Sequence, residues 1–185
     1  MSNPPTNYNS IFPSFIAKNG IARTNRFVVN VAPPANLGIN AFSSIPIESA
    51  EFPALGISTT DFKYDQSPSF SVPYERNPSG QAVINFVLDE KHSARDAIEY
   101  WMENIIFVPT NMDQIFGYSK NYYKDIVGSI QIFQLGLNGT VTYGLQLFNA
   151  FPIGIDNIQL NWGDENNYAR LSITFAYFDS SRLVI

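Results

Sequence analysis

The chain has 185 residues, 45% apolar and only 15% charged, with a net charge of −5 at pH 7. That supports one domain with a full hydrophobic core and excludes a disordered chain, and the absence of any long Lys or Arg run excludes a phosphate-gripping patch. There is no cysteine, so disulfide frameworks and thiolate metal sites are excluded as well.

Aromatic residues make up 15% of the chain, with ten Tyr and fifteen Phe. Such side chains fit a pleated, half-buried surface, so a mainly β fold is expected. No apolar run approaches the roughly 20 residues that a membrane-spanning helix needs. Residues 1–20 lack the basic start and apolar stretch of a signal peptide, so assembly in the cytoplasm and no membrane partner are expected.

In chain order, residues 1–24 form an Asn-, Pro- and Ser-rich arm with an apolar island at Ile11, Phe12, Phe15 and Ile16. This island suits either a loose terminus with a docking patch or a contact with a neighbouring subunit. Residues 25–185 form a single domain with no short-period repeat. Its first strand opens at Arg26, where Phe27, Val29 and Val31 alternate with Val28 and Asn30, and ends at Pro33-Pro34. Strands are expected at 45–51, 59–64, 68–75 and 82–88, with the Phe52-Pro53 bend separating the first two.

Ala94, Ala97, Ile98, Trp101, Met102 and Ile105 then make one apolar stripe, which predicts a helix from Ser93 to Ile106 capped by Ser93 or Asp89. Residues 107–124 read as a long, Tyr-bearing loop. Asn138-Gly139 predicts a two-residue type I′ hairpin turn over 126–148, pairing Ile130 with Leu147, Ile132 with Leu145 and Gln131 with Gln146. A short strand at 157–162 and a final alternating strand at 169–178 complete the pattern.

No catalytic constellation assembles. His92 is the only histidine, and it has neither a second histidine for a metal nor a Gly-x-Ser-x-Gly elbow to serve. There is no phosphate-cradling Gly-rich motif. The acid pairs Asp89-Glu90 and Asp164-Glu165 flank turns or helix starts and read as solvated caps. No cofactor, metal or catalytic residue is expected, and the chain does not read as an enzyme. Trp162 suits either core or an interface. Tyr118, Tyr122 and Tyr123 suit subunit packing, with sugar or base stacking as the alternative.

Taken in order, these features resemble the tail tube (inner tube) proteins of contractile-tailed bacteriophages. The matching elements are Asn25-Arg26-Phe27, the Phe52-Pro53 bend, Asp89-Glu90-Lys91-His92-Ser93-Ala94-Arg95 leading into the Trp101 helix, Phe151-Pro152, Ile158 to Trp162 and the last strand. The resemblance implies an antiparallel β-sandwich or half-barrel with one flanking α-helix, similar in fold to the type VI secretion tube protein. It further implies hexameric rings with a continuous inner β-barrel, stacked as the DNA ejection conduit of a virion tail. Implied partners are further copies of the chain, the tail sheath protein, the baseplate or tube initiator and the tail terminator. Double-stranded DNA and the tape measure protein would pass through the lumen non-specifically. On this reading Asp61, Lys63, Asp65, Ser129, Gln131, Thr140, Thr142 and Gln146 face the lumen. Phe12, Phe15, Tyr118, Tyr122, Tyr123 and Trp162 make subunit contacts, and Leu135 and Leu137 meet the next ring. A baseplate initiator ring of the same fold and a carbohydrate-binding β-sandwich are the alternatives.

Overall fold

The computed structural model describes residues 20–37, 42, 45–78, 80–109, 118–158, 161–163 and 168–184. Its strands are β1 (Phe27–Ala32), β2 (Ile47–Ala50), β3 (Leu55–Phe62), β4 (Phe70–Pro78), β5 (Gln81–Val87), β6 (Phe107–Pro109), β7 (Tyr118–Lys120), β8 (Gly128–Leu135), β9 (Val141–Ile155), β10 (Arg170–Ala176) and β11 (Asp179–Arg182). Helix α1 (Ser93–Tyr100) runs on as a π-helical segment, Trp101–Ile106, and α2 (Tyr123–Ile126) is a single turn.

Among the described residues, seven strands join in the order β1-β8-β9-β10-β5-β2, with β11 also on β9. All these pairings are antiparallel. The sheet turns a corner within β9. Gly128 pairs with Ala150 but Ser129 with Phe148, which leaves Asn149 bulged at a φ of 52°. Such a bulge bends the strand, and Asn tolerates the left-handed conformation better than most residues. The first half of β9 therefore lies between β8 and β11, and its second half lies beside β10.

Alternation decides which side chains reach the core. Ile130, Ile132 and Leu147 come from one half of the sheet, and Ile84, Phe86, Leu171, Ile173 and Phe175 from the other; all are fully buried. Ala94, Ala97, Ile98, Trp101 and Ile105 join them from the helix, which spans the expected residues. Trp101 contacts the rings of Phe42 and Phe175, and its indole N–H donates to the Ile126 carbonyl at 2.9 Å. The π-type bond from the Phe107 N–H to the Met102 carbonyl widens the last turns, so Ile105 and Ile106 are both buried.

Several expectations are corrected. The β8–β9 register agrees from Ile130 to Gln134, but the turn is not type I′. Of Asn138 and Gly139, only Gly139 has positive φ, at 76°. Gly139 donates to the Gly136 carbonyl and Gly136 to the Thr140 carbonyl, which makes a three-residue loop with a glycine bulge. A register shift after Gln134 absorbs the extra residue. The 107–124 stretch is not one loop, since β6 pairs with β7 and α2 begins at Tyr123. The strand expected at 157–162 is absent from its described residues, because β9 continues through Phe151-Pro152 and supplies that pairing instead. The strand expected at 169–178 is β10, and β11 follows it as a further strand that the alternation did not announce.

Candidate assembly surfaces

Across β1, β8, β9 and β11, every second side chain points away from the core. Register aligns Asn30, Gln131, Gln146 and Ser181 into one uncharged polar row spanning all four strands. The Asn30 amide donates to the Gln131 side-chain oxygen at 3.4 Å. Flanking rows carry Val28, Phe133 and Gly144 on one side and Ala32, Ser129, Phe148 and Asp179 on the other. Asp179 is the single charged residue among those named, and its carboxylate is paired with Arg76.

A second surface is the ribbon formed by β3 and β4, which pair only with each other among the described residues. Phe62 lies directly opposite Phe70. Ile57 is 66% and Tyr74 65% exposed, and Leu55, Phe62 and Phe70 are also exposed. A lone two-stranded hairpin is marginal in water, and apolar residues are exposed on both of its faces, Leu55 and Ile57 on one and Phe62 with Phe70 on the other, which marks the ribbon as an interaction element. Within the chain the ribbon is tied down at its base. Phe52 packs edge-on against Tyr143 at 5.4 Å, and Arg76 reaches Asp179 and the Ser180 carbonyl of β11.

The outer face of β2, β5 and β10 is polar. Arg170 pairs with Glu48 at 2.9 Å, lies over the Tyr168 ring and donates to its hydroxyl, which in turn donates to Glu48. Among the described residues no group of acids and histidines could hold a metal ion. His92 sits in the left-handed region just before α1, and its side chain makes no capping bond. The cap comes from Asp89, whose carboxylate accepts from the Ser93 N–H at 2.7 Å and hydroxyl at 2.6 Å. These bonds hold the Asp89 carboxyl below the ordinary aspartate range. No described helix is long and apolar enough to cross a membrane.

The model of the phage tail tube protein family matches residues 22–181. The chain belongs to that family. Membership makes this tail tube protein a structural subunit and not an enzyme. Its fold is similar to a chain of the PVC sheath-tube complex of an extracellular contractile injection system, with 17% identity and a TM-score of 0.62 over 93% of this chain and 97% of that one. It is likewise similar to a chain of the anti-feeding prophage tube-terminating cap, with 18% identity and a TM-score of 0.64 over 95% and 99%. A chain of the anti-feeding prophage baseplate, 6-fold symmetrised, gives 11% identity and a TM-score of 0.59 over 88% and 95%. No curated protein matches the sequence.

The residues singled out in the sequence of this tail tube protein fall into distinct places. Ser129, Gln131 and Gln146 share the outer face of β8 and β9, with Thr142 at its bulged end and Thr140 in the adjoining turn. Asp61, Lys63 and Asp65 lie apart from them, at the far end of the ribbon, where Asp61 accepts from Ser71 at 2.6 Å. Tyr122 and Trp162 are strongly exposed. Tyr123 packs edge-on against Phe151, and the backbone of Tyr118 pairs with Pro109. Phe12 and Phe15 lie outside the described residues. Sequence reasoning missed Asn30, Ser181 and Arg76. Asn30 is a lone polar residue in the apolar run of β1, and Ser181 lies in a short polar strand, so their place in one row is visible only once four strands are aligned.

Proposed function

We propose that six copies of this tail tube protein close into a ring and that the rings stack into a hollow tube, the inner conduit of a contractile phage tail or a related injection machine. The observation that carries the reading is the four-strand half of the sheet, bounded by β1 and β11 and bearing an almost uncharged outer face. Strand direction alternates from β1 through β8 and β9 to β11, so a neighbour's β1 laid beside β11 continues the antiparallel pattern. Closing the circle in this way removes every edge of that half.

The uncharged face then lines the bore, with Ser129, Gln131, Thr142 and Gln146 in the wall. Double-stranded DNA and a tape measure protein find few cationic holds there, since Arg26 at the hairpin end is engaged with the Gly136 and Leu137 carbonyls, and they slide through. The β3–β4 ribbon docks its apolar residues on a copy in the same or the next ring, joined by Leu135 and Leu137 near the hairpin turn. Asp61, Lys63 and Asp65, carried on the ribbon, border the lumen at the ring junction. Tyr118, Tyr122, Tyr123 and Trp162, with Phe12 and Phe15 of the arm, serve as subunit contacts. The sheath protein surrounds the tube in the virion tail, the baseplate initiator starts it and the terminator ends it.

Negative-stain electron microscopy of the concentrated protein, alone and with purified baseplates, tests the proposal. Six-fold rings or hollow tubes are expected. If tubes fail to grow even on baseplates, the repeating-subunit reading is lost and the initiator-ring reading replaces it.

A further inference from the structure

The two edges of the four-strand half differ in a way that bears on assembly. In an antiparallel ladder, residues alternate between exchanging hydrogen bonds with the partner strand and turning both peptide groups away from it. The bond from the Leu135 N–H to the Arg26 carbonyl sets this phase for β1. Val28, Asn30 and Ala32 thus bond to β8, and Phe27, Val29 and Val31 present their N–H and C=O groups to the open edge. Among the described residues nothing pairs that edge.

For β11, the Leu183 N–H to Gly144 carbonyl bond sets the phase. Asp179 and Ser181 bond to β9, and Ser180 and Arg182 turn their peptide groups outward. Those of Ser180, at the centre of the strand, are already taken. The Ser180 N–H donates to the Asp179 carboxylate at 2.7 Å, and the Ser180 carbonyl accepts from the Arg76 guanidinium at 2.6 Å. Arg76 also pairs with that same Asp179 carboxylate, so one residue of the ribbon and one of the edge strand close over Ser180 together. Short edge strands, charged side chains and a covering segment all blunt a sheet edge against strand addition, and β11 combines a short strand with a charged pair laid over it.

We propose that Arg76 and Asp179 cap β11 in the free subunit, and that β1 of a second copy can add to this edge only once the cap has opened. The proposal rests on the tube reading given above, and it identifies which of the two edges controls ring closure. Both side chains of the pair are part-exposed, and surface ion pairs of this kind are weak enough to yield to an incoming strand. Opening would also release Arg76 from β11, which couples ring closure to freedom of the ribbon that carries it. A ring or baseplate that binds the ribbon therefore favours the open edge, and this gives a template a route to start growth that free subunits lack.

The test compares wild type with Arg76→Ala and, separately, Asp179→Ala, each checked for retained circular dichroism and Tm. The threshold concentration for rings or tubes is read by sedimentation and negative stain, and Ser180 amide exchange is followed by NMR. The cap predicts a threshold several-fold lower for both variants and faster Ser180 exchange in free Asp179→Ala subunits. Thresholds unchanged or raised in both folded variants overturn the proposal. The same holds if wild type and variants alike stay monomeric. Tubes from wild type with unshifted variants would sink the cap alone and leave the tube reading intact.

Discussion

Gly128 begins β8 where the chain has no room for a side chain. A Cβ there would collide with the Ala32 carbonyl oxygen and come within 3.1 Å of the Trp101 ring. Backbone cannot yield as a flexible side chain can, so Gly128→Ala should cost about 1–3 kcal/mol. Calorimetry would register this as a Tm lower by about 2–4 °C per kcal/mol, and an unchanged Tm would show that β1 and β8 can spread. The requirement for glycine was invisible in the sequence, because the clash involves β1, nearly a hundred residues away. Trp101 was the opposite case. Its place on a stripe with Ala94, Ala97, Ile98 and Ile105 marked it as core, and only its indole partner, the Ile126 carbonyl, needed the structure.

At the level of elements, alternation and helical periodicity located β1, β5, β8, the first part of β9, β10 and the full extent of the helix. What they could not locate were short strands whose existence depends on a distant partner. β11 has only four residues and owes its conformation to β9, and β6 and β7 are three-residue strands on either side of 110–117. Alternation shows the ribbon as two strands but not as a detached pair, because periodicity does not say what a strand pairs with. Phe62→Ser combined with Phe70→Ser removes apolar surface that contacts no core residue, so the expected result is an intact Tm and lost stacking. A large drop in Tm would mean that the ribbon supports the fold of its own subunit. The Asp89 cap of α1 gives a second element-scale outcome. Its folded-state pKa is depressed by the bonds from Ser93, so its contribution is complete above the ordinary aspartate value of about 3.9 and lost as pH falls through the folded-state value. Titration followed at the Ser93 amide should show that resonance moving below pH of about 4, and Asp89→Asn should weaken the dependence.

For the whole molecule, the family was legible from the order of elements, whereas the composition of the proposed bore needed cross-strand register. Gln131 and Gln146 stand out within one hairpin. Their continuation through Asn30 and Ser181 into a row appears only when β1 and β11 are laid beside it. If this row lines the conduit, Gln131→Lys with Gln146→Lys places two cations per subunit on the path of a polyanion. Assembled tubes of that variant should retain double-stranded DNA at low salt and release it as salt rises, with wild-type tubes retaining little. Equal retention by both would place the row away from the bore.

The corner in β9 ties the two halves of the sheet together through one continuous strand of fifteen residues. Neither half can melt without taking from the other a strand that it pairs with. Cooperativity is thereby built into the covalent path of the chain, and heat or denaturant should unfold both halves in a single step. A wall made of such subunits has no half-open state at its bricks, so it fails, when it fails, at the joints between them.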